Sequence, residues 1–428
     1  VTPEVRVALL GCGTVGREVA AALTGPAATA LADAVGAPLR LVGVAVARGG
    51  AARPGIDPSL LTTDASTLLA AERPDVVVEL IGGTGAAAAL VLQALDGGSS
   101  VVTANKALLA ARLGELSARA SARGVDLFFE AAVAGGIPVV RVLRDALAGQ
   151  RLDRVLGIVN GTTNFLLTTM TREGRELDDV LAEATARGLA ERDPSADLDG
   201  HDAAQKAALL ATLAFGTEVT DRDVPRVGIG KITLADLEAA GRMGHVVRLL
   251  AVAERTDAGV TARVHPAMVP TGHPLAAVEG AANAIFLEGD ALGPLMLEGQ
   301  GAGGPPTASA VLGDLVAAAR NRRRGVVDPA PVIDAAARVA PVGATRAYYL
   351  ALRVADRPGV LAAVASVFGR HAVSIRLMEQ LGLGDDARLV FLTHDAAEAA
   401  VTATLAELGG LEPVTEVGAV LHVVEAAS

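Results

Sequence analysis

The segment ERDPSADLDGHDAAQK at 191–206 sets Asp202 four residues before Lys206, just after Glu191, Asp193 and Asp197. If Gly200 precedes a helix, both side chains project from one face, where the carboxylate can hold the ammonium beside the apolar run AALLATLAF. Lysine is scarce: thirty-seven residues are Lys or Arg, yet lysine occurs only at 106, 206 and 231. Where any cation would serve, this chain uses arginine. A surviving lysine is therefore a candidate for proton transfer or for a compact, three-donor charge. The same cluster also suits a capped, solvated helix start.

A second constellation is GCGTVG, in which Gly11, Gly13 and Gly16 form GxGxxG. It follows the apolar run VRVALL at 5–10 and precedes a helix-like segment from Arg17 to Leu23. In that context glycines let the backbone approach a pyrophosphate, which a helix N-terminus then faces. Gly11, Cys12, Gly13, Thr14, Val15 and Gly16 would then meet a dinucleotide, with Cys12 a small filler rather than a nucleophile. After the second strand, where an acidic residue would meet the adenosine ribose, stand Ala47-Arg48-Gly49-Gly50. Arg48 suits a 2′-phosphate, so the sequence leans to NADP over NAD; a solvated loop arginine is the alternative.

The elements that position these residues follow from the apolar runs. Runs at 39–46, 75–81, 100–104 and 125–130 are apolar throughout rather than alternating, as suits parallel strands buried on both faces of a doubly wound α/β unit. From about 136 to 320 the pattern mixes helices (178–187, 202–215) with strand-like stretches (151–159, 261–269), an α+β mixture. A Gly/Pro-rich stretch at 299–306 leads into a helix ending near Arg320. After a linker at about 325–345, the last 80 residues give two βαβ-like halves, the order of a ferredoxin-like domain.

The 428 residues are 51% hydrophobic but only 2% aromatic, so the core must be built from small aliphatic side chains. A net charge of −11 argues against a nucleic-acid surface. The short run Arg322-Arg323-Arg324 fits a helix C-terminus. No stretch reaches the length of a membrane span, and the apolar N-terminus lacks a basic leader. One cysteine excludes intrachain disulfides, and a soluble, cytoplasmic protein is expected.

The glycine loop, VVTANKALLA around Lys106, EAAVAGGIP at 130–138, NGTTNF at 160–165, the 191–206 cluster and GAGGPPTASAVLGD at 301–314 together resemble homoserine dehydrogenase, in family order. DRPGVL at 356–361 resembles the start of an ACT domain. The resemblance implies a Rossmann-type doubly wound parallel sheet at 1–135, completed by about 301–320. A catalytic and dimerisation domain at 136–320, a linker at 321–345 and a ferredoxin-like ACT domain at 346–428 would follow. It implies reversible reduction of L-aspartate 4-semialdehyde to L-homoserine by NAD(P)H, in a homodimer or homotetramer. Lys206 would be the general acid, Lys106 would stand near the nicotinamide and substrate oxygen, and Asp202 would orient Lys206 and bind the substrate. Glu191 would take the substrate ammonium, with Asp197 beside it.

The resemblance also places Thr103, Lys106 and Gly303 at the cofactor. It implies a sodium ion on the carbonyls of Glu130, Val133, Gly135 and Ile137, against the alternative of a tight turn. Asp356, Pro358, Gly359, Val360 and Leu361 would border a site for L-threonine as feedback inhibitor, unless the module only dimerises. Two positions depart from the family pattern: Leu189 and Phe165 stand where tyrosine is common. An aldehyde-oxidising dehydrogenase would need a cysteine outside the cofactor loop. A sensor without turnover would have no use for the intact polar cluster. Lys231, in VGIGKIT, reads as a chance survivor.

Overall fold

A computed structural model describes residues 4–48, 53, 55–331, 333, 334, 339, 340, 343, 345–382 and 387–425. Strands β1 (Val5–Leu10), β2 (Leu39–Ala45), β3 (Leu61–Thr62), β4 (Val76–Glu79), β5 (Ser100–Thr103) and β6 (Leu127–Phe128) form a parallel sheet in the order β3-β2-β1-β4-β5-β6. β4 and β5 are buried along their whole length, which is why their sequences do not alternate. The order reverses between β1 and β4, opening a crevice over the C-terminal end of β1 where the glycine loop lies.

The helix Gly304–Arg324 returns to this sheet from far along the chain and buries Ala308, Val311, Leu315 and Ala318 in its core. It runs one turn past the expected end at Arg320. Arg322 reaches Asp75 and the Gly98 carbonyl, and Arg323 donates to the Val35 carbonyl, so the basic run anchors the helix end.

A second sheet contains β7 (Leu152–Ile158), β8 (His245–Thr256), β9 (Gly259–Pro270), β10 (Ala282–Gly289) and β11 (Gly293–Gln300). The C-terminal strands are β12 (Thr345–Arg346), β13 (Tyr348–Val354), β14 (Ile375–Leu381), β15 (Arg388–Thr393), β16 (Ala396–Ala397) and β17 (Val414–Val423). β12 pairs only with β16; the others join the second sheet in the order β11-β10-β7-β8-β9-β17-β13-β15-β14. The last four have the ferredoxin-like arrangement. On one face Tyr348, Leu350 and Leu352 pack under the helices Val360–Arg370 and Glu398–Leu408. On the other, Tyr349, Ala351 and Leu421 enter the catalytic core, where Tyr349 donates to Asp236 at 2.7 Å.

The small domain is thus fused to the catalytic sheet instead of hanging from a tether. β17 runs parallel to β9, with His422 opposite Ala267 and Val423 opposite Met268. Described residues of the expected linker also pair inward: Ala340 N–H donates to the Val260 carbonyl at 2.8 Å, and Asp334 bridges Thr217. Without these segments the twelve-residue β9 would be an edge strand, and β17 and Ala340 supply partners for its peptide groups. Among the described residues no helix is long and apolar enough to cross a membrane.

Candidate active site

Gly200, in the left-handed conformation at φ 81°, opens the helix His201–Phe215 and puts Asp202 in its first turn. One turn on, the buried Lys206 Nζ donates to Asp202 Oδ2 at 2.7 Å and to the Val159 carbonyl at 2.6 Å. An ammonium has three protons, so one remains for a ligand. Lys106, the first residue of the helix Lys106–Arg123, brings its Nζ to 2.9 Å from Asp202 Oδ1. Burial works to raise the Asp202 carboxyl, but Lys206 and Lys106 outweigh it and hold the group well below the usual carboxylate range.

Asn160 organises the acidic side. Its amide nitrogen donates to Asp202 Oδ2 at 2.9 Å and to Asp197 Oδ1 at 2.7 Å, while its oxygen caps the helix Gly161–Glu173. These groups line a cavity of about 560 Å³. Glu191, Leu189, Val133, Gly135, Asn283 and the loop Gly301–Gly303 form other parts of its wall. Two ammonium groups share the one Asp202 carboxylate, so a proton of each can face an oxygen that gains electrons.

The two glycine-rich stretches meet here. A Cβ on Gly135 would lie 2.3 Å from the Gly301 carbonyl oxygen, and Gly136 N–H donates to the Gln300 carbonyl. A Cβ on Gly301 would lie 1.9 Å from the Asn283 amide. Asn283 donates to the Val159 carbonyl, the same oxygen that holds Lys206, and its own buried oxygen has no partner among the described residues.

Val15 and Ala104 line both this cavity and an adjoining cleft of about 210 Å³ bounded by Gly13, Thr14, Gly16, Ile81 and Asn105. The residues fit a dinucleotide pyrophosphate. The helix Thr14–Thr24 starts at Gly13 with no side-chain cap, leaving its first N–H groups for a ligand, and a Cβ on Gly13 would point into open space. Gly11 and Gly16 pack too tightly for side chains: a Cβ on Gly16 would lie 2.2 Å from the Gly11 carbonyl oxygen.

Other expected residues stand farther back. Cys12 is buried, and burial pushes its thiol up. Thr103 is a wall of neither cleft; its hydroxyl donates to the buried Glu79 at 2.5 Å and accepts from Asn105 N–H. Arg48 is exposed just past β2, while Gly49 and Gly50 lie outside the described residues. Gly303 lines the cavity at the start of the helix Gly304–Arg324.

Of the four carbonyls assigned to a cation, that of Ile137 accepts from Val139 N–H at 2.8 Å and that of Glu130 is 3.5 Å from Val133 N. Each keeps a second lone pair. The Glu130 carboxylate is spent on the Val140 and Arg141 amides.

Leu189 lines the cavity, whereas Phe165 is buried outside its wall. Asp356, Pro358 and Gly359 lie between β13 and the helix Val360–Arg370, with Gly359 at φ 90°, Val360 buried and Leu361 exposed. Asn160, Asn283 and Glu79 carry no local signal of their own in the sequence. NGTTNF pointed at the first only as part of a motif.

Residues 11–130 match the family model described as homoserine dehydrogenase, NAD binding domain, and 138–316 match that of homoserine dehydrogenase. Homoserine dehydrogenases of Corynebacterium glutamicum and Mycobacterium tuberculosis H37Rv are each 50% identical to it, over 96% and 98% of this chain and 94% and 97% of theirs. The chain belongs to the homoserine dehydrogenases. Residues 348–412 match the ACT domain. The crystal structure of a homoserine dehydrogenase from Thiobacillus denitrificans is similar with a TM-score of 0.90 at 37% identity, covering 100% of this chain and 99% of that one. A hyperthermophilic archaeal homoserine dehydrogenase in complex with NADPH gives a TM-score of 0.62 at 29% identity, over 74% of this chain and 98% of that one. As a homoserine dehydrogenase the chain is an oxidoreductase with a nicotinamide cofactor, and the GxGxxG cleft belongs to its NAD-binding domain.

Proposed function

We propose that this chain interconverts L-aspartate 4-semialdehyde and L-homoserine, on the way to threonine and methionine, with Lys206 as the proton donor to the aldehyde oxygen. The carrying observation is the Asp202 carboxylate bracketed by Lys106 and Lys206 in a cavity that opens into the dinucleotide cleft. The bound nicotinamide supplies the hydride. Lys206 gives its third proton to the oxygen that becomes the alkoxide, and Lys106 adds a second positive charge beside it. In the reverse direction Lys206 takes that proton back, which an arginine does not do. Glu191 and Asp197, both on the cavity wall, face the substrate ammonium.

Arg48 favours NADP over NAD. A sodium ion on the carbonyls of Glu130, Val133, Gly135 and Ile137 would brace the loop that docks on Gly301. L-Threonine is the expected effector at the turn 356–361, in a homodimer or homotetramer. The test is homoserine-dependent reduction of NADP+ and NAD+ by the wild type and by Lys206→Arg. Loss of general-acid catalysis should lower kcat about 100-fold or more with the cofactor KM little changed. Near-wild-type turnover would reject the assignment. Added L-threonine should change the rate; no change would leave the ACT domain an assembly module.

A further inference from the structure

We propose that the cavity at the seam between the catalytic and ACT domains is a second effector site, taking a zwitterionic α-amino acid with an aliphatic side chain. The cavity measures about 590 Å³, within the range of small-molecule sites. Its apolar wall comes from Val401 and Leu405 of the helix Glu398–Leu408, Ala419 and Leu421 of β17, and Ile232 on the catalytic side. Three charged residues complete it: Lys231 and Asp199 from the catalytic domain, Glu398 from the ACT domain. No hydrogen bond or ion pair occupies these three side chains among the described residues. One cation and two anions around an apolar wall match a carboxylate, an ammonium and an aliphatic chain.

Two further polar groups lack partners. Tyr348 Oη and His422 Nδ1 are buried with no hydrogen bond, and both residues line the cavity. The His422 ring stacks on His265 with centroids 3.8 Å apart, and Tyr348 tilts against it at 4.8 Å. Burial pushes the Tyr348 hydroxyl up to about 12 and the His422 imidazole down to about 3, so both are neutral. A buried polar atom without a partner is unfavourable, and a polar ligand in the cavity would give these two atoms one. Lys231, without a role in the dehydrogenase cluster, stands at the rim, where a compact three-donor ammonium suits a carboxylate.

The site is separate from DRPGVL, none of whose residues lines it. It also backs onto the active site. Its catalytic wall includes Val227, Gly228, Gly230, Lys231 and Ile232, and Ile229 N–H, within the same segment, donates to the Leu198 carbonyl at 2.9 Å. Leu198 ends the short helix that carries Asp197, which Asn160 ties to Asp202. A ligand held between Lys231 and Glu398 therefore presses on the segment behind the carboxylate cluster.

Binding is read without turnover, so the test stands apart from the proposed reaction. Isothermal titration calorimetry on the intact chain would use L-leucine, L-isoleucine and L-methionine. Isopentylamine and 4-methylpentanoate, each keeping one charge of leucine, serve as controls. At least one amino acid should bind saturably, and each one-charge control about tenfold more weakly or worse. Lys231→Ala and Glu398→Gln should each weaken binding about tenfold. Thr402→Trp, filling the cavity from an exposed position, should abolish it, while Leu361→Ala should leave it unchanged. Melting curves identify any variant that fails to fold, and the exposed Lys231 and Thr402 bear no core packing. The proposal is overturned if no amino acid saturates by about 10 mM. It is equally overturned if Lys231→Ala binds normally, or if Leu361→Ala abolishes binding and Thr402→Trp does not.

Discussion

The Lys206 ammonium lies 2.7 Å from the Asp202 carboxylate one turn earlier on the same helix. The other oxygen of that carboxylate meets Lys106 at 2.9 Å, so one anion keeps two cations in register. Asp202→Asn would leave two ammonium groups without the charge that holds them. Turnover should fall about 100-fold or more, with the cofactor KM nearly unchanged, in steady-state assays of homoserine oxidation. A similar rise in the cofactor KM would mean that Asp202 serves the dinucleotide instead.

Gly228 makes a second test of the same cluster. A Cβ there would lie 2.0 Å from the Leu198 carbonyl oxygen and 2.7 Å from Asp199 Cα, both backbone atoms that cannot swing aside. Gly228→Ala should lift the segment from the helix carrying Asp197. The homoserine KM should rise about tenfold while the cofactor KM holds, because the GxGxxG cleft is remote from that contact.

The stacked histidines give a pH signature. His422 is pushed down to about 3, first by burial and then by Arg263 and Arg346, with Glu254 opposing. His265 is likewise held well below its usual value, chiefly by burial, then by His422 and Arg263. The unfolded chain takes up these protons near pH 6.5 while the folded chain refuses them. Their contribution to stability is thus complete above about pH 6.5 and is lost as pH falls towards 3. His422→Phe keeps a stacked ring without a titrating group. Chemical denaturation between about pH 4 and 6 should show a slope shallower by roughly 1.4 kcal/mol per pH unit. An unchanged slope would mean that His422 titrates normally in the fold.

Replacing Arg48 tests the lean towards NADP. Arg48→Ala should raise the KM for NADPH about tenfold and leave that for NADH nearly the same, since only the former has a 2′-phosphate to lose. Equal effects on both would make Arg48 a solvated loop residue.

The dinucleotide loop and the Asp202–Lys206 pair were legible because each is local: a glycine spacing next to a strand, and an i,i+4 spacing on one helix. Asn160 and Asn283 were not, since their value lies in partners 37 to 124 residues away. β8 was hidden for another reason. Its run VVRLLAVA is compatible with a buried helix, and only pairing with β7 and β9 makes it a strand. The separate ACT domain was legible from its two βαβ-like halves, but its fusion to the catalytic sheet rests on the β9–β17 register, which no local pattern encodes. The same holds for Lys231: its sequence neighbours are silent, and its companions Glu398 and Leu421 come from another domain.

The outer edge of β9 is covered in three pieces: Val227 at Val264, Ala340 at Val260, and His422 to Val424 at Ala267 and Met268. Two of the three pieces come from beyond Arg324. A chain cut after that helix would keep the Asp202–Lys206 cluster and the glycine loop, yet bare the peptide groups at both ends of a long, apolar strand. Such an edge is a template for pairing with other chains. Removal of the C-terminal domain should therefore cost solubility, whatever it does to the rate.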